Sequence, residues 1–164
     1  MSRATLAEVD SDFTLRIAYD FPAPPERVFQ ALTNPRDMEV WVWGGIGKDP
    51  EASVDLRAGG RYSVAVSVDD AAGWPRSRFA MMGMYFEVAP PKRLVYTVHW
   101  NAPVGYNENG KVAIDEVVTI DLLPSGSGTE VRYVHMGIPT HDGAEEHCKG
   151  ILHTFKLLRS HLAG

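Results

Sequence analysis

The chain has 164 residues with 45% hydrophobic and 23% charged side chains, the make-up of one ordinary globular domain with a single core. Asp and Glu outnumber Lys and Arg by 21 to 16, and the basic residues are scattered, which excludes the basic stripe of a nucleic-acid binder or an anionic-membrane binder. No apolar run approaches the ~20 residues of a membrane span, so no membrane insertion is expected. The one cysteine, Cys148, can form no intrachain disulfide and suits a reducing, cytoplasmic setting.

Residues 1–12 are polar, carry three acidic side chains and lack the apolar h-region of a signal peptide. They are expected to be a poorly ordered leader, partly strand at most, before a domain spanning 13–164. Phe13, Leu15, Ile17 and Tyr19 alternate with polar or small residues, the period of a half-buried strand. The strand stops at Pro22-Ala23-Pro24-Pro25, and prolines just inside a helix start are favourable. Residues 26–33 form a short helix ended by Asn34-Pro35, and 35–43 a second short helix or turn with Met38, Trp41 and Val42 apolar. Gly44-Gly45-Ile46-Gly47 is a loop; neither Lys-Ser nor Lys-Thr follows it, so it is no phosphate loop.

Strand signals follow at 52–56, 61–68, 79–88, 93–100, 111–123 and 129–136, separated by Gly, Pro, Asn and Ser turns. Tyr62, Val64, Val66 and Val68 alternate cleanly, as do Leu94, Tyr96, Val98 and Trp100. After Thr140, a suitable N-cap, Ala144, His147, Cys148, Ile151, Phe155, Leu158 and Leu162 fall on one face of a long helix. Strands joined by short turns pair antiparallel, and the last helix is the only element long enough to cover their apolar face. The expected fold is therefore α+β of the helix-grip type. A curved antiparallel sheet of six to seven strands wraps a long C-terminal helix, with two short helices after the first strand.

Three stretches resemble a known family. Residues 21–33, with Ala23-Pro24-Pro25-Glu26-Arg27-Val28-Phe29 and Ala31-Leu32-Thr33, resemble its opening APxExVFxALT segment. Trp41 followed by Asp55-Leu56-Arg57-Ala58-Gly59-Gly60-Arg61-Tyr62 resembles its next stretch, and Gly83 to Thr97 resembles its GxYxEVxPPxRLVYT hairpin. The chain thus resembles the START-like superfamily, also called SRPBCC or Bet v-like. Within it, the chain looks like the branch named for the C-terminal domain of the activator of the heat-shock-protein-90 ATPase. These are packing and turn residues, so they imply the fold and a cavity rather than an activity. Relatives usually carry Gly-Trp on the last helix where this chain has Gly150-Ile151. The missing indole implies more room, or filling by Trp43, Trp74 or Trp100.

Glu116 is the most informative residue. It shares a strand face with Ile114, Val118, Ile120 and Leu122, which places a carboxylate in an apolar row. Burying a charge is costly unless it is paired or neutralised. One reading is a ligand-binding or acid/base group; the other is a bulge at Asp115 that turns it outward, or an ion pair with Arg16 or Arg132. His135 and His147, each on an apolar face, are either hydrogen-bonded core histidines or members of one polar cluster with Glu116. Tyr96, Trp100, Trp41, Met82, Met84, Ile151 and Phe155 are the expected walls of the ligand site, with Trp41 and Trp43 at its mouth. No metal or other cofactor is expected. His147 and Cys148 diverge by about 100° on a helix, and no C-x-x-C or H-x-x-x-H spacing occurs.

Three functions are compatible with these features. The first is a non-catalytic carrier or sensor of a small hydrophobic or aromatic molecule. The second is a hydrolase, cyclase or dehydratase acting on an aromatic or polyketide-like compound through Glu116 and a histidine. The third, resting on the family resemblance alone, is a chaperone-interaction module. A homodimer joined through sheet or helix is compatible with the sequence, which leaves it open.

Overall fold

The computed structural model describes residues 4–43, 46–69, 77–101 and 116–164. Their order is β1 (Ala4–Val9), β2 (Leu15–Phe21), α1 (Pro25–Thr33), α2 (Pro35–Trp41), β3 (Lys48–Val54), β4 (Arg61–Val68), β5 (Ser77–Ala89), β6 (Arg93–Asn101), β7 (Glu116–Ser125), β8 (Gly128–Met136) and α3 (His141–Ala163). The strands form one antiparallel sheet in the order β1-β2-β8-β7-β6-β5-β4-β3. The α+β helix-grip expectation holds, with eight strands rather than six to seven. The additional strand is β1, inside the expected leader: its backbone pairs with β2 from Val9–Leu15 to Ala4–Tyr19. The two short helices accordingly follow the second strand.

Period-two alternation sets the concave face. Leu15, Ile17, Tyr19 and Phe21 of β2, Val118, Ile120 and Leu122 of β7, and Val131 and Tyr133 of β8 are all buried. A bulge between Tyr85 and Glu87 on β5 shifts the register against β6 and adds to the bend of the sheet. The tight connection into β4 depends on glycine. Gly59 has φ +79°, and a Cβ on Gly60 would lie 1.9 Å from the Asp55 carbonyl oxygen.

Both short helices and α3 cover the concave face. Asn34 caps α2, its side chain accepting from the Arg36 and Asp37 amides. Thr140 caps α3, its Oγ1 accepting from the Gly143 amide at 3.0 Å. Phe155 and Leu158 of α3 are fully buried, Phe155 in edge-on contact with Tyr19, Phe21 and Tyr133. The Asp37 carboxylate of α2 joins the three helices by accepting from Arg27 of α1 at 2.9 and 3.1 Å and meeting His161 Nε2 of α3 at 2.5 Å. Among the described residues no helix is long and apolar enough to cross a membrane.

Gly150 lies inside α3, exposed, and a Cβ there would meet nothing within 4 Å. Gly150→Ala is therefore expected to stabilise the domain by about 0.5–1 kcal/mol through helix propensity alone. Thermal unfolding checks this, and a lowered midpoint would show that the position has a role beyond helix formation.

Candidate functional site

Glu116 opens β7 opposite Val98 of β6, on the concave face and 6% exposed. It does not turn outward, and it does not pair with Arg16 or Arg132, which engage Asp10 and Glu130. Its Oε2 meets His135 Nε2 at 2.6 Å and accepts from Trp100 Nε1 at 3.2 Å. His135 comes from β8, opposite Val118, and is 1% exposed. Its Nδ1 lies 3.0 Å from the hydroxyl of Tyr133, two residues earlier on the same face. A Tyr133–His135–Glu116 chain thus runs through the interior.

The directions of titration define its protonation. Burial pushes the Glu116 carboxyl up, but the hydrogen bond from His135, the positive charge that His135 and His147 carry when protonated, and the Trp100 N–H outweigh it, and the group sits below the usual carboxylate range. Burial pushes His135 down; Glu116 pulls it up without overcoming burial. The two directions are compatible with a carboxylate facing a neutral imidazole. Nε2–H then donates to Glu116, and the Tyr133 hydroxyl donates to Nδ1. Burial also raises Tyr133 well above the usual phenol range, which keeps its proton in place.

His147 enters from α3, 20% exposed, at the more open side of the cluster. Its Nδ1 lies 2.7 Å from the Gly143 carbonyl oxygen, and its Nε2 faces Glu116 Oε2 across 3.7 Å. The ring sits edge-on to both His135 and Trp100, at 5.3 and 5.8 Å between centroids. Trp43, just past α2, is edge-on to Trp100 at 5.8 Å and donates its N–H to the Val64 carbonyl.

Glu116, His135, His147 and Trp100 are therefore brought together in one cluster. Tyr96 lies along the same face of β6, edge-on to Tyr62. Ile151 sits one turn beyond His147, partly buried against the core. Phe155 is buried against Tyr19, Phe21 and Tyr133. Trp41 is not at the mouth: it is 8% exposed and bonded to the Ala31 carbonyl, holding α2 to α1. Met82 and Met84 need correction. They pair with Ser63 and Arg61 on the outer face, whereas Met81 and Gly83 oppose the inward Val64 and Tyr62. Tyr133, which meets His135 from two residues earlier on β8, is a member of the cluster that no sequence expectation assigned to it. Trp74 and the Gly44-Gly45 part of the glycine loop lie outside the described residues. Two surface hollows occur elsewhere. One, of about 280 Å³, lies on the outer face by Glu51, Ser63 and Arg78; the other, of about 450 Å³, lies by Asp20, Ser127 and Arg159.

An antiparallel sheet closed over a long C-terminal helix, with a polar cluster set in its aromatic interior, defines a helix-grip domain. The family model described as Activator of Hsp90 ATPase homolog 1-like protein matches residues 22–163, and the chain belongs to that family, within the SRPBCC/Bet v1-like superfamily. Protein CV1439 from Chromobacterium violaceum is similar in structure, with TM-score 0.72 and 26% identity over 92% of this chain and 97% of that one. Protein Ms6760 from Mycobacterium smegmatis gives TM-score 0.71 and 21% identity over 96% of each chain. CalU16 from Micromonospora echinospora gives TM-score 0.61 and 19% identity over 99% of this chain and 85% of that one. The latter two bear on the fold alone. No curated protein matches the chain in sequence.

Proposed function

We propose that the domain binds a small hydrophobic or aromatic molecule at the Glu116–His135–His147–Trp100 cluster and acts as a non-catalytic carrier or sensor. The observation that carries this reading is a buried carboxylate, 6% exposed, set among aromatic rings with a partly exposed histidine beside it. Such a group is a poor means of stabilising a core, because well-packed apolar residues do as well without the desolvation cost. A few convergent polar groups in an apolar setting are what a small-molecule site requires. Phe155 and Leu158 fill the middle of the grip, so the ligand enters at the His147–Trp100 end. The lone thiol, Cys148, fits a reducing compartment, and we take the domain to act in the cytoplasm.

Native mass spectrometry of protein purified without detergent tests the proposal. The expected result is a copurified small molecule that disappears in His147→Ala while the fold is retained. A bare mass, together with no ligand-induced shift of the unfolding midpoint across a panel of aromatic compounds, would count against it. One observation favours a second reading. The Tyr133–His135–Glu116 chain can hold a proton-accepting carboxylate in a fixed position, which is the requirement for acid/base catalysis on an aromatic or polyketide-like compound. Chemical conversion of the bound molecule on incubation, abolished in Glu116→Gln, would establish that reading over the carrier.

A further inference from the structure

Two hydrogen-bond acceptors face each other at the open side of the cluster. A carbonyl oxygen only accepts, so the 2.7 Å contact with Gly143 fixes the ring proton of His147 on Nδ1. In the neutral ring Nε2 is then a lone pair. It points at Glu116 Oε2 across 3.7 Å, too far for a hydrogen bond, whereas His135 makes its bond to the same atom at 2.6 Å. Oε2 already takes His135 and Trp100, and among the described residues no donor reaches Oε1 or His147 Nε2. Two facing acceptors repel unless a donor stands between them.

We propose that the ligand of this site carries a primary amine, whose nitrogen caps His147 Nε2 and the Glu116 carboxylate together. The proposal rests on the binding reading above and specifies its chemistry. A single nitrogen about 2.8 Å from His147 Nε2 and Glu116 Oε2 spans the 3.7 Å gap with modest bending of each bond, as a third donor on Oε2 beside His135 and the longer 3.2 Å bond from Trp100. It needs two N–H bonds, which a primary amine has, while a hydroxyl has one O–H and a carboxylate none. An ammonium also matches the charge of Glu116. The rings of Trp100 and Trp43, 5.8 Å apart, offer the aromatic part of the ligand an apolar surface to pack on.

The test uses four naphthalenes on the intact chain, with binding followed by calorimetry at pH 7.5. These are naphthalen-2-ylmethylamine, its N,N-dimethyl derivative, naphthalen-2-ylmethanol and 2-naphthoate. The primary amine is expected to bind at least tenfold tighter than each of the others. The dimethyl compound keeps the charge but has a single N–H in place of the primary ammonium's three, so it separates donor count from charge. In Glu116→Gln the amide oxygen can serve His135 and Trp100 while its NH2 turns to His147 Nε2. The preference for the amine is then expected to collapse towards unity in a folded protein.

Equal binding of the amine and its dimethyl derivative would overturn the two-donor inference and leave the binding reading intact. Preferred binding of naphthoate would overturn it as well, by showing that His147 donates. No binding of any of the four would overturn it too, and the copurified mass would then judge the binding reading separately. A nitrogen-15 spectrum of the free protein showing protons on both His147 nitrogens at pH 7.5 would overturn it without any ligand.

Discussion

His135→Leu is expected to destabilise the domain by about 3 kcal/mol at pH 7, lowering the thermal midpoint by roughly 6–12 °C for a chain of this size. The substitution removes the 2.6 Å partner of Glu116 and the only hydrogen-bond partner described for the Tyr133 hydroxyl. It leaves a carboxylate that is 6% exposed with the Trp100 N–H at 3.2 Å and His147 at 3.7 Å. Breaking a buried pair on one side costs more than the pair contributed, because the survivor keeps its desolvation penalty.

The effect has a defined pH dependence. In the native protein Glu116 is held below its ordinary range, so its contribution is present above about pH 4.5 and is lost as pH falls through the depressed value. His135 is also depressed, so the unfolded chain binds its proton first as pH falls below about 6.5, and native stability falls with it. In the variant, burial without His135 raises the Glu116 pKa, and a raised carboxylate costs stability only above its unfolded value. All three contributions narrow the gap between the two proteins towards acid. Urea unfolding at pH 7.5 and pH 4.5 measures it; a gap that stays constant would refute the assignment of the charge to Glu116.

Asp37→Ala is expected to cost about 2 kcal/mol near neutral pH, close to the value of hydrogen bonds to a charged group after allowance for partial exposure. Asp37 is 13% exposed, while Arg27 and His161 are 35% and 24% exposed, so solvent screens part of the attraction. The bidentate Arg27 contact and the His161 contact tie α1, α2 and α3 at one point. Burial raises the Asp37 carboxyl, but Arg27 and His161 lower it further, and the net direction is down. A depressed carboxylate contributes stability above about pH 4, and that contribution is lost as pH falls through its folded value. The variant should therefore fall behind the native protein at pH 6–7, and the gap should narrow as pH falls below about 4. Equal midpoints at pH 7 would remove the three-helix tie from the account of stability.

Several features were legible from local pattern because the residues themselves carry the phase. Strict alternation in β2, β4, β7 and β8 told inside from outside, and Val118, Ile120 and Leu122 drew Glu116 inward with them. Thr140, Gly150 and the apolar stripe from Ala144 to Leu162 marked α3 and its buried side. Where both faces of a strand are apolar, pattern carries no phase. Residues 79–86 run Phe-Ala-Met-Met-Gly-Met-Tyr-Phe, and only pairing with β4 and β6 puts Met81 inside and Met82 and Met84 outside. β1 was obscured for the opposite reason: its order comes from backbone bonds to β2 rather than from its side chains.

The site divides in the same way. The sequence by itself determined that a carboxylate and two histidines sit on buried faces, since a period of two or 3.6 is a property of the local chain. Only the tertiary structure decided that Trp43 rather than Trp41 meets Trp100, that Tyr133 holds His135, and that His147 faces Glu116 at 3.7 Å. Those facts depend on how strands β6, β7 and β8 are set side by side and how α3 is rotated upon them. Burial of the whole core fixes that arrangement, and no single segment encodes it.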